Sequence, residues 1–199
     1  MHQRLNQVMT ALSNQMSNDS QLFENYVRRG DLESLSALVS RHSVWMLALL
    51  RGMLNSASDA DDAFQDTWIR VIKSADRYKG GNIRAYLATV ARSVAVDLLR
   101  KRGRDMRFEP LSNENEEAIE IPDSSPTPDD RFESLARSDD VMRALADLPE
   151  GPRQVFLMRI EAELSFREIA ETMGIPIGTA LTWMQSAKVK LKKILGRLK

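Results

Sequence analysis

Four aspartates fall close together in "SDADDAFQD", at Asp59, Asp61, Asp62 and Asp66, a cluster of carboxylates that invites a metal reading. A calcium loop needs a glycine at its sharp turn and a glutamate closing twelve residues, and neither stands here. Acids gathered at the start of a helix are favoured by the helix dipole, so these four read as first-turn charges. His2 and His42 are the only imidazoles, and there is no cysteine. Disulfides, zinc fingers and thiol catalysis are thereby excluded, and the usage suits a reducing compartment. No nucleophile, base and metal set converges anywhere, so the expectation is a protein that is not an enzyme and holds no metal or cofactor.

What remains is the chemistry of recognising a polyanion. The formal net charge is zero, but it is unevenly spread. Residues 84–107 hold seven basic side chains against two acidic, residues 108–150 hold three against thirteen, and residues 151–199 hold nine against four. Two basic units are thus separated by an acidic strap. In the first, Tyr78 and Tyr86 are interleaved with Lys79 and Arg84, a mixture suited to unstacked bases beside a phosphate backbone. Cations near a helix C-terminus also have a plainer use, pairing with the last carbonyls.

The second basic unit contains "LSFREIAETMGIPIGTALTWMQSAKVKL". Ser165 followed by Glu168 has capping-box spacing, Gly174 suits a turn with positive φ, and Thr179 is placed to cap a following helix. Short helix, glycine turn, longer helix is the helix-turn-helix layout. Along the second helix, Ala180, Met184, Ala187, Leu191, Ile194 and Leu198 form the inward face. Thr179, Leu181, Thr182, Trp183, Gln185, Ser186, Lys188, Lys190, Lys192 and Lys193 are left outside. From Ile177 to Ala187 there is no charge, unusual for a helix that reads DNA. A helical hairpin with solvated lysines competes with the DNA reading.

Positioning these groups requires helices. Apolar residues recur at helical spacing almost throughout, while strand alternation and tight hairpin turn pairs are missing, which predicts an all-α fold. The pattern places helices near 20–29, 31–53, 60–76 and 82–102, then 130–147, 151–162, 166–173 and 178–197. Between the sets, "EPLSNENEEAIEIPDSSPTPDD" combines four prolines with acids and small polar residues and resists both helix and core formation. The domains expected are a polar extension over 1–19, a helical unit over 20–104, an acidic linker over 105–129 and a second helical unit over 130–199. No apolar run reaches the ~20 residues of a membrane span and no signal peptide is visible, so the protein is expected in the cytoplasm without membrane insertion.

In order, "DADDAFQDTWIRVIKS", "NIRAYLATVARSVAVDLLRKRGR", the acidic strap and "LPEGPRQVFLMRIEAELSFREIAETMGIPIGT" resemble an extracytoplasmic-function sigma factor of bacterial RNA polymerase, from about residue 20 to residue 197. The resemblance implies two helical domains, region 2 and region 4, that bind core RNA polymerase and promoter DNA; the polymerase does the chemistry. Asp62, Gln65, Asp66, Ile69 and Arg70 would dock on the polymerase, although Trp68 and Ile69 read equally well as core residues. Tyr78, Lys79, Asn82, Arg84, Tyr86, Arg92, Ser93, Arg100 and Arg102 would grip the minus-ten element, holding a base flipped from the stack. Two positions depart from the family pattern: Tyr86 replaces the usual tryptophan, and Ser93 replaces an asparagine whose amide offers both donor and acceptor.

By the same resemblance, Arg167, Thr179, Leu181, Thr182, Trp183, Gln185, Ser186, Lys188 and Lys190 would meet the minus-thirty-five element. Hydroxyls and the amide can bond base edges, and Leu181 or Trp183 can meet thymine methyls, but fewer charges reach phosphate. An anti-sigma factor is a further candidate partner. The acidic strap either threads toward the RNA path or is a solubilising linker. Two alternatives stay open: region 4 turned to a protein partner through an exposed Leu181 and Trp183 patch, or a free-standing helix-turn-helix repressor.

Overall fold

The computed structural model describes residues 19–103 and 139–195. The N-terminal extension up to residue 18, the acidic linker, the start of the helix expected from 130, and Leu198 lie outside the described residues, within which every regular element is helical. None of the described helices is long and apolar enough to cross a membrane. The chain forms two compact units, Met1–Ala95 and Val96–Lys199.

In the first unit, α1 spans residues 19–29, α2 Leu32–Leu54 and α3 Ala57–Lys73, with a single 3-10 turn at Ala75–Arg77 before α4, Ile83–Lys101, whose last residues run past the unit boundary. The breaks are made by local chemistry. Gly30, at φ +66°, ends α1, and the Asp31 carboxylate caps α2 by accepting from the Glu33 amide at 3.1 Å and the Ser34 hydroxyl at 2.6 Å. Asn55 takes the left-handed conformation that ends α2, and Ser56 accepts from the Asp59 amide at 3.3 Å to start α3. Each cap satisfies donors or carbonyls that a helix end leaves open. α3 therefore begins one turn earlier than the apolar pattern suggested, because the cap chemistry at Ser56 precedes the first large apolar residue.

α2 and α3 pack together. Phe23, Leu38, Trp45, Met46, Leu49, Leu50, Met53, Trp68, Val71, Ile83 and Leu87 are among the buried residues of this unit. Along α4 the buried line runs through Leu87, Ala91, Val94, Ala95 and Leu99, and Val90 and Leu98 are only half-buried. His42 lies in this core at 3% exposure. Its Nδ1 accepts from Trp45 Nε1 at 2.9 Å, which leaves its proton on Nε2, 3.3 Å from Asp19 Oδ2. Burial pushes its pKa down to about 4, against the raising effect of Asp19 and with help from Arg84 and Arg41.

In the second unit, α5 spans Asp139–Ala146, α6 Glu150–Ile160, α7 Phe166–Met173 and α8 Ile177–Leu195. α8 packs against all three of the others. Its inward residues are Ala180, Trp183, Met184, Ala187 and Leu191. Trp183, placed outside by the sequence reading, is only 3% exposed. The reason is at Gly151: a Cβ built there would lie 2.5 to 2.7 Å from three atoms of the indole. A helix face three residues wide takes i, i+3, i+4 and i+7, and Trp183 completes that set once the facing helix offers a hole.

Replacing Gly151 with alanine is expected to displace the Trp183 ring and destabilise the second unit by about 1–3 kcal/mol, read from denaturant unfolding. For His42, the unfolded chain takes up a proton near pH 6.5 while the folded core resists until about 4. Its contribution is thus complete above 6.5 and declines as pH falls toward 4, by at most about 3 kcal/mol. A His42→Gln variant should show a flatter fall in denaturation midpoint between pH 7 and pH 4.5 than the parent.

Candidate nucleic-acid and polymerase interfaces

The loop from Ser74 to Asn82 and the start of α4 carry the first basic and aromatic site. Asn82 Oδ1 accepts from the Arg84 amide at 3.0 Å, an N-terminal cap that orients α4. The Arg84 guanidinium lies over the Trp45 ring, 5.2 Å from its centroid. Tyr78 and Tyr86 are not free stacking platforms. Their centroids are 5.3 Å apart, both rings meet Phe23 at 5.1 and 6.0 Å, and the Tyr86 hydroxyl is 3.0 Å from Ser74 Oγ. Burial raises the Tyr78 pKa, so its phenol stays a neutral donor. Tyr78, Asn82, Arg84 and Tyr86 therefore shape this site, while Lys79, Ser93, Arg100 and Arg102 are exposed on it and Arg92 is half-buried.

On α4, exposed Thr89 stands between Tyr86 and Ser93 at three- and four-residue steps. The sequence reading passed over it, although this spacing on one helix face was the available signal. Beside the loop, Glu24, Val27, Arg28, Tyr78, Lys79 and Gly80 line an open cleft of about 270 Å³.

α3 presents a second surface. Asp62, Gln65 and Asp66 are exposed and Ile69 is 46% exposed, whereas Trp68 is buried at 6%. The two neighbours, indistinguishable by type, are separated by helix rotation: Trp68 faces the core and stands edge-on to Phe64 at 6.4 Å. Arg70 is half-buried, and Ile72, at 41% exposure, extends the outer apolar strip beyond what the sequence reading named. Of the remaining aspartates in this helix, Asp61 pairs with Arg51 at 3.6 Å and Asp59 is buried in the first turn.

In the second unit the expected turn is complete. Ser165 and Glu168 form a reciprocal capping box, and Gly174, at φ +66° and ψ +37°, closes α7. Arg159 lies beneath, donating to the Leu164 carbonyl at 2.8 Å with its guanidinium 5.3 Å from the Phe166 ring. α8 starts at Ile177 rather than after Thr179, the Ala180 amide bonding the Pro176 carbonyl at 3.2 Å. Thr179 is therefore within the first turn and is not its cap. Arg167, Gln185 and Lys190 are exposed, and Thr179, Leu181, Thr182, Ser186 and Lys188 are half-buried. Val189, at 67% exposure, also lies on the outer side. Burial of Trp183 removes it from any base-reading role and dissolves the apolar patch that a protein-reading helix would have shared between it and Leu181.

Comparison with known proteins agrees with this geometry. The family model for Sigma-70 region 2 matches residues 38–105, and that for Sigma-70, region 4 matches residues 138–191. RNA polymerase sigma factor CarQ of Myxococcus xanthus is 30% identical over 86% of this chain and 94% of its own length. ECF RNA polymerase sigma factor SigE of Mycolicibacterium smegmatis is 29% identical over 83% of this chain, which spans 63% of SigE. The fold is shared with the sigma factor RpoE solved in complex with the anti-sigma factor NepR from Bartonella quintana, at a TM-score of 0.62 and 22% identity, covering 82% of this chain and 98% of that one. With both regions matched in order and α7, its glycine turn and α8 in helix-turn-helix form, the chain belongs to the extracytoplasmic-function sigma factors, which direct bacterial RNA polymerase in transcription initiation.

Proposed function

We propose that region 2 extends over residues 20–104 and region 4 over 130–199, with 105–129 as the acidic linker and 1–19 as an extension, and that the two regions divide promoter recognition between them. The exposed face of α3, with Asp62, Gln65, Asp66, Ile69 and Arg70, docks on core RNA polymerase. The loop after α3 and the outer face of α4 take the minus-ten element: Lys79, Arg92, Ser93, Arg100 and Arg102 meet DNA on a frame built by Tyr78, Asn82, Arg84 and Tyr86. On α8, Thr179, Leu181, Thr182, Gln185, Ser186, Lys188 and Lys190, with Arg167 from α7, read the minus-thirty-five element. The protein works in the cytoplasm, leaves catalysis to the polymerase, and is held in check by an anti-sigma factor, as the complex of its relative RpoE with NepR suggests.

The observation that carries the minus-thirty-five reading is the exposure of Gln185, with Thr182 one turn before it, on an uncharged helix behind a complete glycine turn. An amide can bond two positions on one base edge, so readout here rests on hydrogen bonds while tethering to the polymerase supplies affinity.

Run-off transcription with bacterial core polymerase on a genomic fragment library tests the assignment. Gln185→Ala should change promoter choice, reducing discrimination at one minus-thirty-five base pair by about 1–3 kcal/mol; unchanged promoter choice would sink this readout. Binding of region 4 to its DNA should have a shallow salt dependence, since each phosphate contact adds only about 0.9 to the slope. Ile69→Asp is expected to weaken core binding by about 1–2 kcal/mol and to leave the unfolding midpoint unchanged, because the side chain is exposed; equal affinity of the two proteins would remove α3 from the polymerase interface.

A further inference from the structure

α1 is not part of either recognition surface, yet its first turns reach the minus-ten loop across nearly sixty residues of sequence. Tyr78 Oη donates to the Gly81 carbonyl at 2.7 Å, folding the loop back on itself. Ser20 Oγ, from α1, donates to the same carbonyl at 2.9 Å and lies 3.1 Å from Tyr78 Oη. Two hydroxyl protons make only two of these three hydrogen bonds at once: either both donate to the Gly81 carbonyl, or one donates to it while the other hydroxyl donates to the first. Gly80 and Gly81, at φ +89° and +100° with open space where a Cβ would stand, supply the backbone conformation that turns this carbonyl inward.

One turn along, Phe23 is fully buried and makes an edge-on contact with Tyr78, while Tyr86 completes a three-ring cluster with both. Asp19 pins the start of the same helix to α2, 2.6 Å from Arg41 Nη1 and 3.3 Å from His42 Nε2. Nothing in the loop's own sequence provides these restraints.

We propose that Ser20 is a positioning residue for promoter melting: by holding the Gly81 carbonyl and the Tyr78 hydroxyl, it keeps the loop in the shape that receives an unpaired minus-ten base. The inference rests on the assignment of this loop to the minus-ten element. A preformed loop avoids the ordering cost that a slack one meets when it binds. Removal of one hydroxyl therefore reduces open-complex formation without touching a DNA contact.

The test uses the full chain with core polymerase on a duplex promoter, with permanganate reactivity of unpaired thymines as the readout for melting. Ser20→Ala should lower open-complex occupancy roughly three- to tenfold, the size expected for one hydrogen bond, and Ser20→Thr should restore it. Tyr78→Phe should act in the same direction, and the double variant should fall short of the product of the two single effects, because both hydroxyls serve one carbonyl. Core affinity and unfolding midpoint should stay at the parent values. If Ser20→Ala melts the promoter normally while Lys79→Ala and Ser93→Ala do not, the positioning role is wrong and the minus-ten assignment stands. If all three are silent, the minus-ten assignment itself fails. A loss in Ser20→Ala that tracks a lowered unfolding midpoint, or that Ser20→Thr does not repair, also overturns the proposal.

Discussion

Gly151 has no room for a side chain, because the Trp183 indole occupies that space, and the orientation of α8 follows from this one fit. An aromatic ring of this size buried against a helix backbone contributes more apolar contact than a neighbouring alanine or methionine can. It sets the rotation of the helix about its axis. With Trp183 inward, Gln185 is carried to the outside, and Val189 with it. The lack of charge between Ile177 and Ala187 then has a physical account: part of the stretch is core, and what faces outward consists of hydroxyls, an amide and aliphatic groups. Such a surface offers hydrogen bonds and methyl contacts and little of the positive charge that drives counterion release from a polyanion.

The first unit meets the opposite difficulty. The loop between α3 and α4 carries cations and aromatic rings, but its glycines leave the backbone weakly restrained. The restraint comes from elsewhere: the Asn82 cap orients α4, Arg84 is laid over Trp45, and Phe23 gathers Tyr78 and Tyr86 around itself. Residues whose types suggest nucleic-acid contact thus serve two ends. Several hold the frame, and fewer are left exposed. Tyr86 directs a hydroxyl to Ser74, a bond that joins the end of α3 to the start of α4.

α3 shows how recognition and core share one short helix. Trp68 enters the core while Ile69 faces outward beside Asp66 and Gln65, and a shift of one residue in phase would exchange them. Phase is held at the helix start, where Ser56 caps the first turn. An outer strip of acids followed by aliphatic residues can pair with cations and bury apolar area on a protein partner, chemistry distinct from that of the basic and hydroxyl-bearing faces of α4 and α8.

Much of this was legible in the amino-acid order because the signals are local. Ser165 and Glu168 make their capping box within one turn, Gly174 supplies the left-handed residue that few others adopt cheaply, and apolar spacing marks α2, α4 and α8 without reference to any neighbour. The family pattern is likewise written in order and spacing. Decisions between adjacent residues of similar type were not legible: whether Trp183 lies in or out, and which of Trp68 and Ile69 is core, depend on a hole or a contact in another helix. The restraint of the loop before α4 by Ser20 and Phe23 is also a product of tertiary structure alone, since hydrogen bonds and ring contacts between residues nearly sixty positions apart leave no periodicity in the chain.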